Sequence, residues 1–404
     1  MILSSRLLAS TMLSAALLAT PVLAQQAPFD AGPANAPDQT PASENQARAP
    51  QPDAPASVTS EVVAEGLPQL WSLEFLPDGR MLVTAKEGAL HIVTPEGEAT
   101  EVEGELPAVD SEGQGGLLDV ALAPDFDTTG RIYFSFAEPR DDGNGTSVAA
   151  ATLTLDEAGG ASVSDVEVIF RQEPSYDGGL HFGSRIVPNE DGTLYVTVGE
   201  RSDEPIRDQA QELESGLGKI FRIDAEGQAL PDNPFVETEG ARPEIWSLGH
   251  RNVQGATLDG EGRLWTAEHG ARGGDELNRP EAGVNYGWPE VTYGINYDGT
   301  QIGEGVTQNA ETVQPVYYWD PVIAPSGMAY YEGDEFPEWQ GAFLIGGLQA
   351  LGVVVLHMDG DQVAFEERVP LEARIRDVKV GPDGAVYAVT DDSSSSIIRL
   401  THGR

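Results

Sequence analysis

From residue 58 onward, apolar and polar residues alternate in short runs, and the runs come in pairs. Successive side chains of a strand point to opposite faces, so a run such as TLYVTVG (193–199) reads as a strand with one face in a core. Two runs joined by Asp-Gly or a similar pair read as a hairpin. One phrase of strand, turn and strand returns six times. The copies are LWSLEFLPDGRMLVTAKEGALHIV (70–93), GLLDVALAPDFDTTGRIYFSFAE (116–138), GSRIVPNEDGTLYVTVGE (183–200), NVQGATLDGEGRLWTAEHG (252–270), SGMAYYEGDEFPEWQGAFLIGGL (326–348) and RDVKVGPDGAVYAVTDD (376–392). A further alternation often follows the second strand, as in ALHIV, LGVVVLHM and SIIRL. Six copies spaced roughly 45–75 residues apart predict radial repetition: an all-β, six-bladed β-propeller of four-stranded antiparallel sheets. A pair of sandwiches would supply strands but not the same phrase six times. In a propeller, the loops entering the inner strands converge over the central channel, and that is where a ligand site is expected.

The two N-terminal segments break this pattern. Arg6, the apolar LLASTMLSAALLA and the small residues of TPVLA predict a secretory leader over 1–24, cleaved after Ala24. The apolar run is short for a membrane span and Pro21 interrupts it, so no membrane insertion is expected. Residues 25–57 are rich in Pro, Ala, Gln and Asp with one aromatic, and read as a disordered spacer. The propeller is expected over 58–404, in a periplasmic or secreted protein.

Composition narrows the function. The formal charge is −43, and losing Arg6 with the leader takes it one unit further, to −44. Such a field repels nucleic acid and anionic membranes. The acidity reads as solubility in a salty environment or as a cation-binding surface. Any site for an anionic ligand must gather arginines against this background. The absence of cysteine excludes disulfides, lipidation and thiolate metal ligands.

Several Gly-rich polar stretches lie beside the repeats, each able to reach the same end of the channel. They are GQGGLLDV with Gln114, GGLHFGSR with His181 and Arg185, SLGHRNVQG with His250, Arg251, Asn252 and Gln254, and AEHGARGGDELN with Glu268, Gly270, Ala271, Asp275 and Glu276. GVNYGWPEVTYGINYDG follows the last of these, and EARIRDV carries Arg374 and Arg376. Arg374 and Arg376 share one strand face, suited either to carboxylate binding or to a solvated surface. HGARGGDELN offers inturned carbonyls and hard oxygens for a calcium ion, or a polar turn capped by Asp275. His181 has three readings: a packed loop residue, a zinc ligand lacking the usual spacing, or a general base. No nucleophilic serine elbow, phosphate loop or dinucleotide fingerprint is present.

Taken together, LGHRNVQG, NYGWP, GINY and RIRDV in this order resemble the soluble sugar dehydrogenases that depend on pyrroloquinoline quinone, over nearly all of 58–404. Within that family the aldose sugar dehydrogenase branch is the most similar. The resemblance implies a six-bladed propeller carrying calcium and quinone over the channel. His181 matches the general base. Gln114, Arg251, Asn252, Gln254, Tyr297, Gly347, Leu348, Arg374 and Arg376 match quinone-contacting positions, with Arg251 also stabilising the developing oxyanion. Gly270 and Ala271 match the carbonyls that hold calcium, and Glu276 and the Tyr286 carbonyl match a second, structural calcium site. Trp319 is expected to line the pocket. Gln349 stands where the family pattern has a lysine, which implies weaker cofactor binding.

The implied reaction oxidises an aldose at its anomeric hydroxyl to the aldonolactone, with hydride passing to the quinone. Electrons then leave to a respiratory acceptor, a quinone or cytochrome, from a monomer or weak dimer. A calcium-dependent propeller lactonase is one alternative. A propeller kept as a sugar- or protein-binding module is another, and Gln349 favours it.

Overall fold

A computed structural model describes residues 26–156, 159–204 and 206–403; the leader expected over 1–24 lies outside the described residues. The chain forms six sheets of four antiparallel strands. In blades one to five the strands run in sequence order from the channel outward. Their inner strands are Leu70–Phe75, Leu117–Leu122, Ile186–Pro188, Val253–Leu258 and Pro325–Tyr330. Blade six starts at Ile375–Val380 and is completed from the other end of the chain. Its outermost strand is Val58–Leu67, paired with Ser395–His402 in the register Val58 to His402 and Leu67 to Ser395. This pairing closes the ring.

The six repeats of the sequence coincide with the first two strands of the six blades. Their turns share one geometry in blades one, three, four and six. Gly79, Gly192, Gly262 and Gly384 have φ of 84°, 84°, 75° and 77°, and each N–H returns to the carbonyl three residues back at 2.9–3.0 Å. A side chain is strained at that φ, so glycine fixes the turn and with it the register. Blade two inserts one helical turn, Phe126–Thr129, and blade five a 3-10 turn, Pro337–Trp339. The apolar residues do not fill one centre. They pack between neighbouring blades, for example Leu82, Leu90 and Ile92 of blade one against Ile132, Phe134 and Phe136 of blade two.

The channel itself is plugged by charge. Arg185 reaches Asp119 at 2.7 Å and Asp377 at 3.2 Å, and the Ser72 hydroxyl lies between the same carboxylates, 2.7 Å from Asp119 and 3.2 Å from Asp377. All four side chains are buried. Arg185, grouped with the ligand-site stretches in the sequence, is therefore a structural plug beneath Trp71, whose ring lies 4.6 Å from its guanidinium.

The expectation of a disordered spacer is corrected for residues 26–57. This stretch lies as a strap against blades four and five. Asp320 accepts the N–H groups of Asn35 and Ala36, and Gln46 is buried and donates to the Pro315 carbonyl. Ala49 donates to Tyr317 Oη, and Glu366 donates its N–H to the Pro50 carbonyl. A segment with too few apolar residues for its own core is ordered here by the polar edge of another.

Candidate active site

The strands are antiparallel, so inner strands start where second strands end. All six blades contribute to one polar end of the channel. A cavity of about 220 Å³ opens there, lined by Gln69, Trp71, Lys86, Gln114, Gln254, His269, Leu348, Arg374, Arg376 and Asp391 among others. Three cations face one carboxylate, in a protein whose formal charge is −43. Arg374 and Arg376 do share a face: both meet Asp391, at 2.8 and 3.2 Å. Arg376 also donates to Gln254 Oε1 at 2.9 Å.

His181 is buried beside this cavity, on the loop entering blade three, with φ of 50°. Gln114 accepts its main-chain N–H at 2.9 Å and donates its own main-chain N–H to Gly179 O at 2.7 Å, zipping the blade-two and blade-three loops together. Gly199 lets the loop come close, since a Cβ there would lie 2.2 Å from His181 O. Asn252 holds the other side by accepting the Gly183 N–H at 3.0 Å. Arg201 lies under the loop, 4.1 Å from the centre of the Phe182 ring, and donates to the carbonyls of Leu180 and Gly178. Backbone held at positive φ without glycine costs about 1–3 kcal/mol per residue and persists where the surroundings over-determine it.

The imidazole is oriented by Glu200, whose Oε2 lies 2.6 Å from Nδ1 and also accepts the Ser202 N–H. Burial lowers the His181 pKa below its ordinary value of 6.5, and Arg251 adds to the lowering against the pull of Glu200. Burial favours the protonated form of Glu200, but His181, Arg251 and the Ser202 N–H outweigh it and hold its pKa low. The pair is thus a neutral imidazole donating Nδ1–H to a carboxylate. No described residue hydrogen-bonds Nε2, which leaves that nitrogen to accept a proton.

Arg251 is buried over the Trp288 ring at 5.0 Å and donates through Nη1 to the carbonyls of His269 and Gly270; its Nε has no partner among the described residues. A positive group therefore already rests on a carbonyl expected to face calcium. Asp275 is committed to backbone, accepting the N–H groups of Gly270, Ile323 and Ala324 at 2.7–2.8 Å, with its pKa pushed up to about 6 by burial. It shapes the loop as a cap. Burial and the neighbouring Glu268 raise the pKa of Glu276 well above the carboxylate range. Asn278 Nδ2 bridges the two acids, and its Oδ1 has no partner among the described residues. Glu268 meets His250, which stacks on Tyr286 at 4.9 Å, so Glu276 and Tyr286 belong to one cluster. Among the described residues no group of three or more acidic or histidine side chains is arranged to hold a metal ion, so a calcium ion here would depend on backbone and amide oxygens as well.

Three expected residues lie elsewhere. Trp319 is an outer-strand core residue of blade four, its Nε1 donating to Glu366 at 2.9 Å. Tyr297 is 72% exposed on a turn whose hairpin pairs with Arg272 through Ile295. Gln349 is exposed and lines a separate cavity between blade five and the strap residues Phe29 and Asn35. Of its neighbours, Leu348 lines the central cavity, and its carbonyl accepts from Arg374 at 3.4 Å. Gly347 ends the second strand of blade five. Sequence reasoning missed Lys86, Glu200, His269 and Asp391.

Residues 67–399 match the glucose/sorbosone dehydrogenase family. The chain is 44% identical to the aldose sugar dehydrogenase YliI of Escherichia coli K12 over 355 residues, covering 86% of this chain and 94% of that one. The apo-form crystal structure of the soluble aldose sugar dehydrogenase from Escherichia coli superposes with a TM-score of 0.81 at 41% identity, covering 86% of this chain and 100% of that one. The PQQ-bound form of aldose sugar dehydrogenase from Streptomyces coelicolor superposes with a TM-score of 0.69 at 30% identity, covering 86% and 99%.

Proposed function

The chain belongs to the glucose/sorbosone dehydrogenase family, and we propose that it is an exported quinoprotein oxidising an aldose at the anomeric hydroxyl to the aldonolactone. The observation that carries this reading is the charge of one cavity. Lys86, Arg374 and Arg376 face Asp391 alone, beside a neutral histidine with a free Nε2. An acidic protein gathers cations at a concave polar site to hold a polyanionic ligand, and pyrroloquinoline quinone carries three carboxylates. The relative from Streptomyces coelicolor, solved in its PQQ-bound form, supports the same reading.

Bound quinone supplies hydride acceptance, and bound calcium supplies Lewis-acid polarisation. The rest falls to side chains. Arg374 and Arg376 hold carboxylates, with Gln254 fixing the Arg376 head. His181 takes the hydroxyl proton on Nε2, and Glu200 stabilises the imidazolium that results. Arg251 places positive charge where an oxyanion develops. The Gly270 and Ala271 carbonyls would hold one calcium, in competition with Arg251 for Gly270; Glu276 with the Tyr286 carbonyl would hold another. Gln349 lines a neighbouring cavity beside the strap, next to Leu348 of the central one, and brings no charge to a bound carboxylate. The electron acceptor would be a respiratory quinone or cytochrome outside the cytoplasm.

Adding calcium chloride and pyrroloquinoline quinone to the apo-protein tests the reading. Quinone absorbance should remain with the protein through gel filtration, and an artificial dye should be reduced in the presence of aldoses. Loss of all quinone on the column together with no dye reduction by any aldose would sink it.

A further inference from the structure

The chain has three lysines, and two are spent on its own fold. Lys219 is buried and donates to the carbonyls of Gln209, Ala210 and Leu217 at 2.7–3.0 Å. Lys379 pairs with Glu74 at 2.8 Å. Lys86 differs from both. It directly follows the second strand of blade one, Met81–Ala85, where its N–H donates to Gln69 O and its carbonyl accepts from Leu117. Its stem lies against Gly116, where a Cβ would come within 2.6 Å of Lys86 Cγ. The backbone on both sides thus directs this side chain to the central cavity. Its Nζ donates to one carbonyl, Gly113 O at 2.7 Å, and makes no ion pair among the described residues. An ammonium has three donors, so two remain.

Lys219 spends all three donors on carbonyls and Lys379 is paired with an acid, so Lys86, with two donors open at the cavity, is the lysine to explain. The carboxylate of this cavity, Asp391, is engaged by both arginines of blade six. Lys86 is the cavity's cation without a counter-charge. Blade one lies between blade six, which brings the arginines, and blade two, which brings Gln114. The cations therefore form one arc across adjacent blades.

We propose that Lys86 binds one carboxylate of the quinone, as the third cation of the cradle formed with Arg374 and Arg376. This rests on the quinone reading above and names a residue for it. The test is binding without turnover. Free pyrroloquinoline quinone is titrated into apo-protein in calcium chloride, with no sugar, and followed by quenching of tryptophan fluorescence. Lys86→Met should weaken binding by about tenfold to a hundredfold, the loss of one charge-assisted hydrogen bond. Lys86→Arg should restore most of it, and the wild-type affinity should fall more steeply with sodium chloride than that of Lys86→Met. Thermal melts of both variants report whether the Gly113 loop depends on the side chain. Equal affinity of wild type and Lys86→Met overturns the assignment and leaves the quinone reading standing. So does a Lys86→Arg variant as weak as Lys86→Met with a lowered melting temperature, because the lysine then supports the loop. A wild-type protein that takes up no quinone overturns both.

Discussion

Blades three and four each carry a buried histidine against a glutamate, built at matching places. His181 and His250 lie on the loops entering the inner strands, and Glu200 and Glu268 lie at or just beyond the ends of the second strands. The Nδ1 to carboxylate distances are 2.6 and 3.0 Å. The pairs differ in what remains unsatisfied. His250 Nε2 meets Ser247 Oγ at 2.9 Å, its ring stacks on Tyr286, and Glu268 also accepts from Arg251 N and Asn278. Both ring nitrogens of His250 are used. His181 keeps Nε2 free, and Glu200 Oε1 has no partner among the described residues. The backbone differs in the same sense. Blade four puts its positive φ on Gly249, whereas blade three imposes it on the histidine. A satisfied pair is a brace, and a pair with one open nitrogen is a tool. Burial and composition alone do not separate them.

Removing each histidine should split the two roles most widely. His181→Ala should lower kcat/KM for aldose oxidation by roughly 10³-fold, within the range for a general base, at temperatures where the variant stays folded. His250→Ala should instead cost about 2–4 kcal/mol of stability in denaturant unfolding, from lost packing and unpaired polar groups. Its activity should be retained at temperatures where it stays folded. A destabilised His181→Ala with full turnover would reverse the comparison.

The carboxylates give a smaller contrast. Glu200→Gln keeps the shape but removes the charge that fixes the Nδ1–H tautomer and stabilises the imidazolium. Its kcat should fall roughly tenfold to a hundredfold, with KM little changed. Glu268→Gln should leave kcat within a few-fold, because it touches the brace. Steady-state kinetics of both variants with one aldose checks this. Equal losses in kcat would mean that the two pairs form a single unit.

The propeller was legible because its signals are local. Alternation and Asp-Gly turns state each hairpin within about twenty residues, and the glycines at positive φ fix its register. The arginines, Gln114 and His181 were legible through motif order. Lys86, Glu200 and Asp391 were hidden in plain repeats: TAKEG, TVGE and VTDD read as solvated strand ends. Each lies just past the second strand of its blade, beside where an inner strand begins. Superposing the repeats on their second strands would have marked that place as facing the channel. The strap was illegible for another reason. Its order comes from Asp320, Pro315 and Tyr317, nearly three hundred residues away, and no local composition reports that. Trp319 failed similarly, since its partner Glu366 belongs to the next blade.

The smallest expected effect is also the most specific to one pair. In the proposed reaction His181 is the neutral base, so its protonation would remove activity. Its pKa in the folded protein lies below 6.5, lowered first by burial and then by Arg251, against Glu200. The rate should therefore be full above pH 6.5 and fall as pH drops through that lowered value. Glu200 is the group that raises it. Glu200→Gln should move the acid limb of kcat/KM further down, because it removes the charge that raises the His181 pKa. Glu268→Gln should not move it. One other imidazole lies in the cavity, His269, whose pKa burial and Arg251 lower well below the ordinary value. An acid limb that stays fixed in Glu200→Gln, and moves in His269→Gln, would assign the titration to His269. The free nitrogen of blade three would then no longer mark the base.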